Sequence, residues 1–221
     1  MISHDNKVIF IHIPKCAGTS IEEALGHNVG TYNAQDHRSL RLIEQPWLKY
    51  SSLSNIDNFQ ELMRKLNHKF RNNNDSNKLC LNAEQYAEYF KFTFIRNPYS
   101  RAFSWYQNVI RDANHQKRYG IDDSITFFEF LNKFAGKGPL RTQLSYIKNF
   151  SGEIEMDFIG RFESLEKDFL IVAEKLGMKG VKLPHSIKGG SENYRKFYNQ
   201  KTKDIIERVY KKELELFEYS F

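Results

Sequence analysis

The stretch Val8 to Ser20, VIFIHIPKCAGTS, constrains this chain more than any other. Val8 to Ile13 is apolar except for His12 and rich in β-branched side chains, the pattern of a buried strand. Pro14 has no N–H to give a ladder and ends it. Lys15, Cys16, Ala17 and Gly18 then make a tight turn, with Gly18 easing the bend, and Thr19 or Ser20 can cap a helix through Ile21, Ala24 and Leu25. Such a strand, small-residue turn and helix start form an anion site, because the first N–H groups of a helix have no partner within it. Lys15 adds a positive charge, and the hydroxyls of Thr19 and Ser20 add neutral donors. A phosphate-like ligand is expected. An ordinary βα turn with a solvated Lys15 would share the pattern, and the Walker order is absent, since the lysine precedes the glycine. A second motif has to decide.

It lies at Tyr89 to Arg111. YFKFTFI reads as a second buried strand, and Arg96-Asn97-Pro98 follows it with Asn97 as N-cap and Pro98 as first helical residue. Arg96 thus leaves the C-terminal end of a strand, the edge where ligands bind in open α/β sheets. Arg101 is three residues before Ser104 and shares its helix face. An arginine fork plus a hydroxyl makes a cradle for a terminal phosphate. The alternative is that Arg96 pairs with a core carboxylate.

The rest of the chain reads as scaffold. Asp36 or Ser39 can cap a short helix over Leu40 to Ile43. Asn55 to Phe70 is amphipathic, with Ile56, Phe59, Leu62, Met63, Leu66 and Phe70 as a stripe expected in the core. Arg71 to Lys78 is a polar loop. Thr126 to Phe134 is a helix ended by Gly136 to Pro139. Asp157 to Arg161 is a third strand, Ser164 caps a helix closed by Gly177, Lys188 to Asn193 is a loop, and Thr202 to about Phe217 is the closing helix. Strands alternating with helices imply an α/β domain with a parallel sheet covered on both faces. A length of 221 residues suits a single domain, 1–221, folding from about residue 7.

Aromatic content of 14% argues for a folded globule, and a net charge of +6 fits an anionic partner without choosing one. Cys16 and Cys80 make no disulfide framework and read as reduced thiols. The N-terminus has no signal-peptide form, and no apolar run reaches the roughly 18 residues needed to span a bilayer. A cytoplasmic protein without a membrane span is expected.

Together, IPKCAGTS and FIRNPYSRAFSWY resemble the two cofactor motifs of the sulfotransferases, nearest to the carbohydrate branch that acts on heparan and chondroitin chains. DFIGRFESLEKDF and the C-terminal NYRKFYNQKTKDIIERVYKKELELFEYSF resemble later segments of that branch, so the likeness covers nearly the whole chain. The branch often has threonine where Cys16 stands. The resemblance implies a three-layer, P-loop-NTPase-like fold with a central parallel sheet flanked by helices. It also implies a donor, 3′-phosphoadenosine 5′-phosphosulfate (PAPS), and an acceptor hydroxyl on a carbohydrate or small molecule that could itself be acidic. Neither a metal nor a nucleic-acid partner is expected.

Each role implied by the resemblance has a physical basis. Lys15, with Cys16 and the N–H groups of Ala17, Gly18, Thr19 and Ser20, would hold the 5′ end and neutralise charge on the leaving phosphate oxygen. Arg96 and Ser104, with Arg101 beside them, would grip the 3′-phosphate. Lys188 and Tyr194 border a loop that could close over the nucleotide. His37 is the expected base, because the branch carries a histidine before a helix start between the two motifs and histidine titrates near neutrality. Glu22 or Glu23 would be the fallback. A kinase-like phosphotransferase and a non-catalytic binder of acidic glycans are the competing readings.

Overall fold

A computed structural model describes residues 1–27, 35–46, 56–71, 80–178, 180–181, 183–184 and 191–221, without the side chains of 68–71 and 191–193. The chain divides into two compact units, each assembled from separate stretches. One comprises Met1–Ile13, Ala17–Ile95 and Leu144–Ser186 and holds the sheet; the other comprises Pro14–Cys16, Arg96–Gln143 and Ile187–Phe221 and is helical.

In the sheet unit, four strands run in the order β1 (Ile2–Ser3), β2 (Val8–Ile11), β3 (Phe90–Ile95) and β4 (Phe158–Arg161). β2, β3 and β4 are parallel, with Ile11 opposite Thr93 and Ile95 opposite Arg161. All four residues of β2 are buried, as a strand covered on both faces requires. Period-two alternation places Phe90, Phe92 and Phe94 on one face of β3, where Phe92 stacks on Phe10 with centroids 5.0 Å apart. The sheet is not wholly parallel, because β1 pairs antiparallel with β2. Nor does folding wait for residue 7: the Met1 amino group donates to the Phe10 carbonyl at 2.6 Å and pairs with Asp36 at 3.2 Å.

Helices flank this sheet within the unit. They are α1 (Gly18–Ala24), α2 (Leu40–Ile43), α3 (Ile56–Arg71), α4 (Ala83–Glu88), α8 (Leu144–Ile147) and α9 (Leu165–Lys175, packed on β4). Neither Ser39 nor Ser164 caps its helix through the side chain. The Ser39 hydroxyl donates instead to Glu61 at 2.9 Å, and that of Ser164 to Asp168 at 2.9 Å.

The amphipathic helix α3 buries only part of the expected stripe: Leu62 is buried and Leu66 half-buried, but the other described members are exposed. Ile56 is 69% exposed, Phe59 45% and Met63 42%, whereas Asn58, Glu61, Leu62 and Lys65 are buried. The polar face is the one that finds partners. Asn58 donates to the Phe150 carbonyl at 2.7 Å, Lys65 to the Glu44 carbonyl at 2.7 Å, and Glu61 accepts from Ser39. Buried polar groups are tolerable when bonded in this way.

The helical unit contains α5 (Pro98–Arg111), α6 (Ala113–Tyr119), α7 (Phe127–Phe134) and α10 (Gln200–Leu216), packed around a core that includes Phe103, Val109, Phe130, Ile206 and Tyr210. Its helix starts obey local chemistry. Asn97 caps α5 by accepting from the Tyr99 N–H at 3.0 Å, with Pro98 as the first residue. Thr126 with Glu129, and Asn199 with Thr202, form reciprocal capping boxes on α7 and α10.

Among the described residues no helix is long and apolar enough to cross a membrane.

Candidate functional site

The loop leaving β2 turns through two left-handed residues that are not glycine, Lys15 at φ 70° and Ala17 at φ 66°. Each such conformation costs on the order of 1–3 kcal/mol and persists only where its surroundings enforce it. In the helical unit three side chains hold the stretch Pro14–Cys16 that carries the first of them. Arg101 donates to the Pro14 carbonyl at 3.1 Å, Arg96 to the Lys15 carbonyl at 3.2 Å, and Cys16 points its thiol at Gln143 Oε1, 3.4 Å away. The strained turn is therefore clamped before any ligand arrives.

Lys15 and Arg96 are thus brought together. Lys15 Nζ donates to Asn108 Oδ1 at 2.9 Å and lies 5.9 Å from the Trp105 ring centroid. Among the described residues no carboxylate pairs with it. Burial, and then the neighbouring Arg96 charge, lower its pKa from 10.5 to about 8. Two cations held close to one another in a partly buried place favour an anion between or beside them.

Arg96 is 3% exposed, and its backbone is held as firmly as its side chain. Gln143, fully buried, accepts from the Arg96 N–H at 2.9 Å and donates to the Arg96 carbonyl at 2.9 Å. Its amide also donates to Glu213 at 2.9 Å, and Glu213 accepts from the Gln143 N–H as well. The Arg96 Nε donates to Ser100 at 2.9 Å, so the serine bonded to the guanidinium is one turn earlier than Ser104, which is half-buried.

Arg101 does not fit the phosphate cradle expected for it. It is 1% exposed, and its guanidinium donates to the carbonyls of Pro14, Pro139 (2.7 Å) and Arg141 (3.1 Å). A fork spent on three main-chain oxygens holds loops in place. Tyr194 stands edge-on to Tyr198 and Phe221, centroids 6.2 and 6.1 Å away, and no contact among the described residues joins it to Lys15 or Arg96. Lys188 lies outside the described residues, as do the loops at Arg71 to Lys78 (beyond Arg71) and at Lys188 to Asn193 (before Ser191).

The sheet unit holds the remaining predicted residues. α1 begins at Gly18 with Ala17 in the cap position, and neither Thr19 nor Ser20 caps it. Gly18 is required by proximity to His12: a Cβ there would meet the imidazole at 2.0 Å. Thr19 Oγ1 accepts from Gln35 at 2.9 Å, and Ser20 is buried. His12 Nδ1 lies 2.9 Å from Glu22 Oε1, and its ring meets that of His37 edge-on with centroids 4.2 Å apart. Glu22 is fully buried with Oε2 unpartnered, and burial raises its pKa to about 7.

His37 lies 3.3 Å from the His12 carbonyl through Nδ1 and 3.1 Å from Gln35 Oε1 through Nε2. Although the residue reaches solvent, the packing about its ring, and then the His12 imidazole, push its pKa down, leaving it neutral at pH 7. Glu23 is exposed. Among the described residues no group of three or more His, Cys, Asp or Glu side chains is arranged to hold a metal ion.

Asn108, Gln143 and Glu213 have no counterpart in the sequence expectations. Asn108 carried a signal, standing four residues after Ser104 and seven after Arg101 on one face of α5. Gln143 and Glu213 carried none, since each is one polar residue in a stretch without pattern.

Comparison with known proteins follows the same lines. The profile of the family described as "Sulfotransferase family" matches residues 1–220. Carbohydrate sulfotransferase 14 of Danio rerio is 29% identical over 111 residues, covering 40% of this chain and 30% of that protein. The Homo sapiens protein of the same name is 30% identical over 100 residues, covering 36% of this chain and 27% of its own. The chain thus matches less than a third of the length of these curated relatives. No solved structure matches.

Proposed function

The chain belongs to the sulfotransferase family, and on that premise we propose that it moves a sulfuryl group from PAPS to a hydroxyl of a carbohydrate acceptor. PAPS supplies an activated sulfuryl group on a 5′-phosphate and a 3′-phosphate that distinguishes it from ATP. Residues 1–221 act as one catalytic domain of three-layer, P-loop-like type in this reading. Carbohydrate sulfotransferase 14, by its name, sulfates carbohydrate, which supports the acceptor class.

One observation carries the reading: the strained Lys15 turn is tied to Arg96 through the Lys15 carbonyl, so two cations from two motifs stand together. Lys15 neutralises the charge left on the 5′-phosphate oxygen when its bond to sulfur breaks, while the acceptor oxygen forms the new S–O bond. Arg96, with Ser104 on the next turn of α5, holds the 3′-phosphate. His37, neutral at pH 7, takes the acceptor's proton. The family match favours this chemistry over a kinase-like phosphotransferase or a passive glycan binder.

The test is calorimetric. Adenosine 3′,5′-bisphosphate should bind and ATP–Mg²⁺ should bind far more weakly, and PAPS with a desulfated glycosaminoglycan should give sulfated product. Preference for ATP–Mg²⁺, or binding without any sulfate transfer to a carbohydrate panel, would overturn the proposal.

A further inference from the structure

Lys15 reaches past its own loop to one polar side chain, Asn108 on α5, at 2.9 Å. An ammonium has hydrogens to give and no lone pair, so the amide must turn its oxygen towards it. That choice sends Asn108 Nδ2 the other way, where it lies 3.2 Å from Nδ1 of His115. His115 is buried on α6, edge-on to Trp105 with centroids 5.1 Å apart. The same Nδ1 lies 2.8 Å from Asp112 Oδ2, while Asp112 Oδ1 caps α6 through the Asn114 N–H at 2.8 Å. Nδ1 carries either a hydrogen or a lone pair, and the shorter contact to an acceptor-only carboxylate makes it the donor to Asp112, so the Asn108 amide is fixed by Lys15 and not by the imidazole.

We infer that Asn108 is a positioning residue for Lys15, and that it fixes where the ammonium stands for an incoming anion. A lysine on a left-handed residue has a flexible four-carbon stem, and the loop clamps described above hold only its main chain. Asn108 is the side chain that holds its charged end. The inference deepens the reading of Lys15 as the cation of the sulfuryl-donor site, and rests on it for its role in turnover.

The charged and titratable groups about Lys15 are Arg96 just before the cap of α5, Cys16 in its own loop, and His115 with Asp112 beyond Asn108. Arg96 opposes the ammonium. The Asn108 carbonyl favours it, as any acceptor bonded to the charged form does. Removing that acceptor should lower the Lys15 titration midpoint, and turning it into a carboxylate should raise it.

The test uses the full chain without nucleotide. Competitive acetylation with acetic anhydride, read by peptide mass spectrometry between about pH 6 and 11, gives the Lys15 midpoint in wild type, Asn108→Ala and Asn108→Asp. Asn108→Ala should move it down by about one pH unit and Asn108→Asp up by about one unit. Asn108→Asp is nearly isosteric, so it reports even if the alanine variant fails to fold. Midpoints that stay put, or that move the same way in both, overturn the inference. Lys15→Ala is titrated in parallel with adenosine 3′,5′-bisphosphate. Shifted midpoints with undiminished Lys15→Ala binding would sink the donor-site reading and leave the Asn108 contact standing. Lost binding with unmoved midpoints would do the reverse.

Discussion

Arg96 donates from Nη1 to the main-chain carbonyl of Lys15 at 3.2 Å, so the guanidinium that follows β3 braces the turn that follows β2. One side chain thereby serves two purposes, adding a charge and holding a strained backbone. Both strands end at the same edge of the sheet unit, because Ile11 lies opposite Thr93 in a parallel register. Lys15 and Arg96, 81 positions apart in sequence, meet within the helical unit.

Arg96→Ala should weaken adenosine 3′,5′-bisphosphate by about 10- to 100-fold, the loss of one or two charge-assisted hydrogen bonds. Adenosine 5′-monophosphate should lose much less, through the loosened Lys15 turn alone. Titration calorimetry with the two ligands decides the matter. Equal losses would mean that Arg96 acts on the loop and not on a 3′-phosphate.

Gln143 should matter more for stability than its single side chain suggests. It satisfies the N–H and carbonyl of Arg96 and one oxygen of Glu213, all in a place closed to water. Gln143→Met keeps the volume and removes these partners, and each orphaned buried group costs about 1–3 kcal/mol. Urea unfolding should show a loss of about 3 kcal/mol or more. A loss within about 0.5 kcal/mol, the range of ordinary surface changes, would show that water replaces the amide.

What could be read in the sequence was local. VIFI followed by a proline and small residues sets a strand and turn within one short window, and Asn97-Pro98 sets the start of α5 without outside help. The stripe on α3 was visible too, but periodicity finds two faces without saying how far each is buried. There the partners Ser39, Glu44 and Phe150 lie far off in sequence, and they take the polar face. Gly18 shows the same limit. Its place in a turn was legible, but the reason for it is the His12 ring, which would collide with any Cβ. Arg101 shares a helix face with Ser104 as its spacing requires. Its direction is decided by the carbonyls of Pro14, Pro139 and Arg141, which no local pattern brings near.

Glu22 should make the protein less stable as pH rises. Its unfolded carboxyl gives up its proton near pH 4.5, whereas burial keeps the folded one protonated to about 7. Stability is therefore full below the lower value, erodes between the two, and the penalty is complete above the upper one. It amounts to at most about 3 kcal/mol. Glu22→Gln should melt close to wild type at about pH 4 and above it at about pH 8. A lower melting temperature for the variant at the alkaline end would show that the ionised carboxylate is stabilised by the His12 contact after all.

Lys15 gives the opposite limb of the activity profile. Its charged form is the useful one, and its pKa is lowered to about 8, so kcat/KM should fall as pH rises through that value. Lys15→Ala should lose about 10²- to 10³-fold in kcat, the usual cost of removing a donor aimed at developing charge. A pH profile flat to about pH 10 in wild type would place the titrating cation elsewhere.

His37→Ala tests the proton acceptor. Loss of a positioned base lowers turnover by about 10²- to 10⁴-fold, and since the residue is assigned no contact with the nucleotide, affinity for adenosine 3′,5′-bisphosphate should stay near that of wild type. The acid limb supplies a sharper check. An ordinary histidine would lose activity below about pH 6.5, but packing and the His12 ring hold His37 below its usual range, so the free imidazole persists further into acid. Wild-type kcat should therefore remain level through about pH 6, and replacing the neighbour by His12→Phe should bring the limb back towards neutrality. An acid limb near pH 6.5 in wild type, or wild-type turnover in His37→Ala, would hand the proton to another group. Glu22, whose raised pKa would make it inactive as a base below about 7, could then be told apart by that same limb.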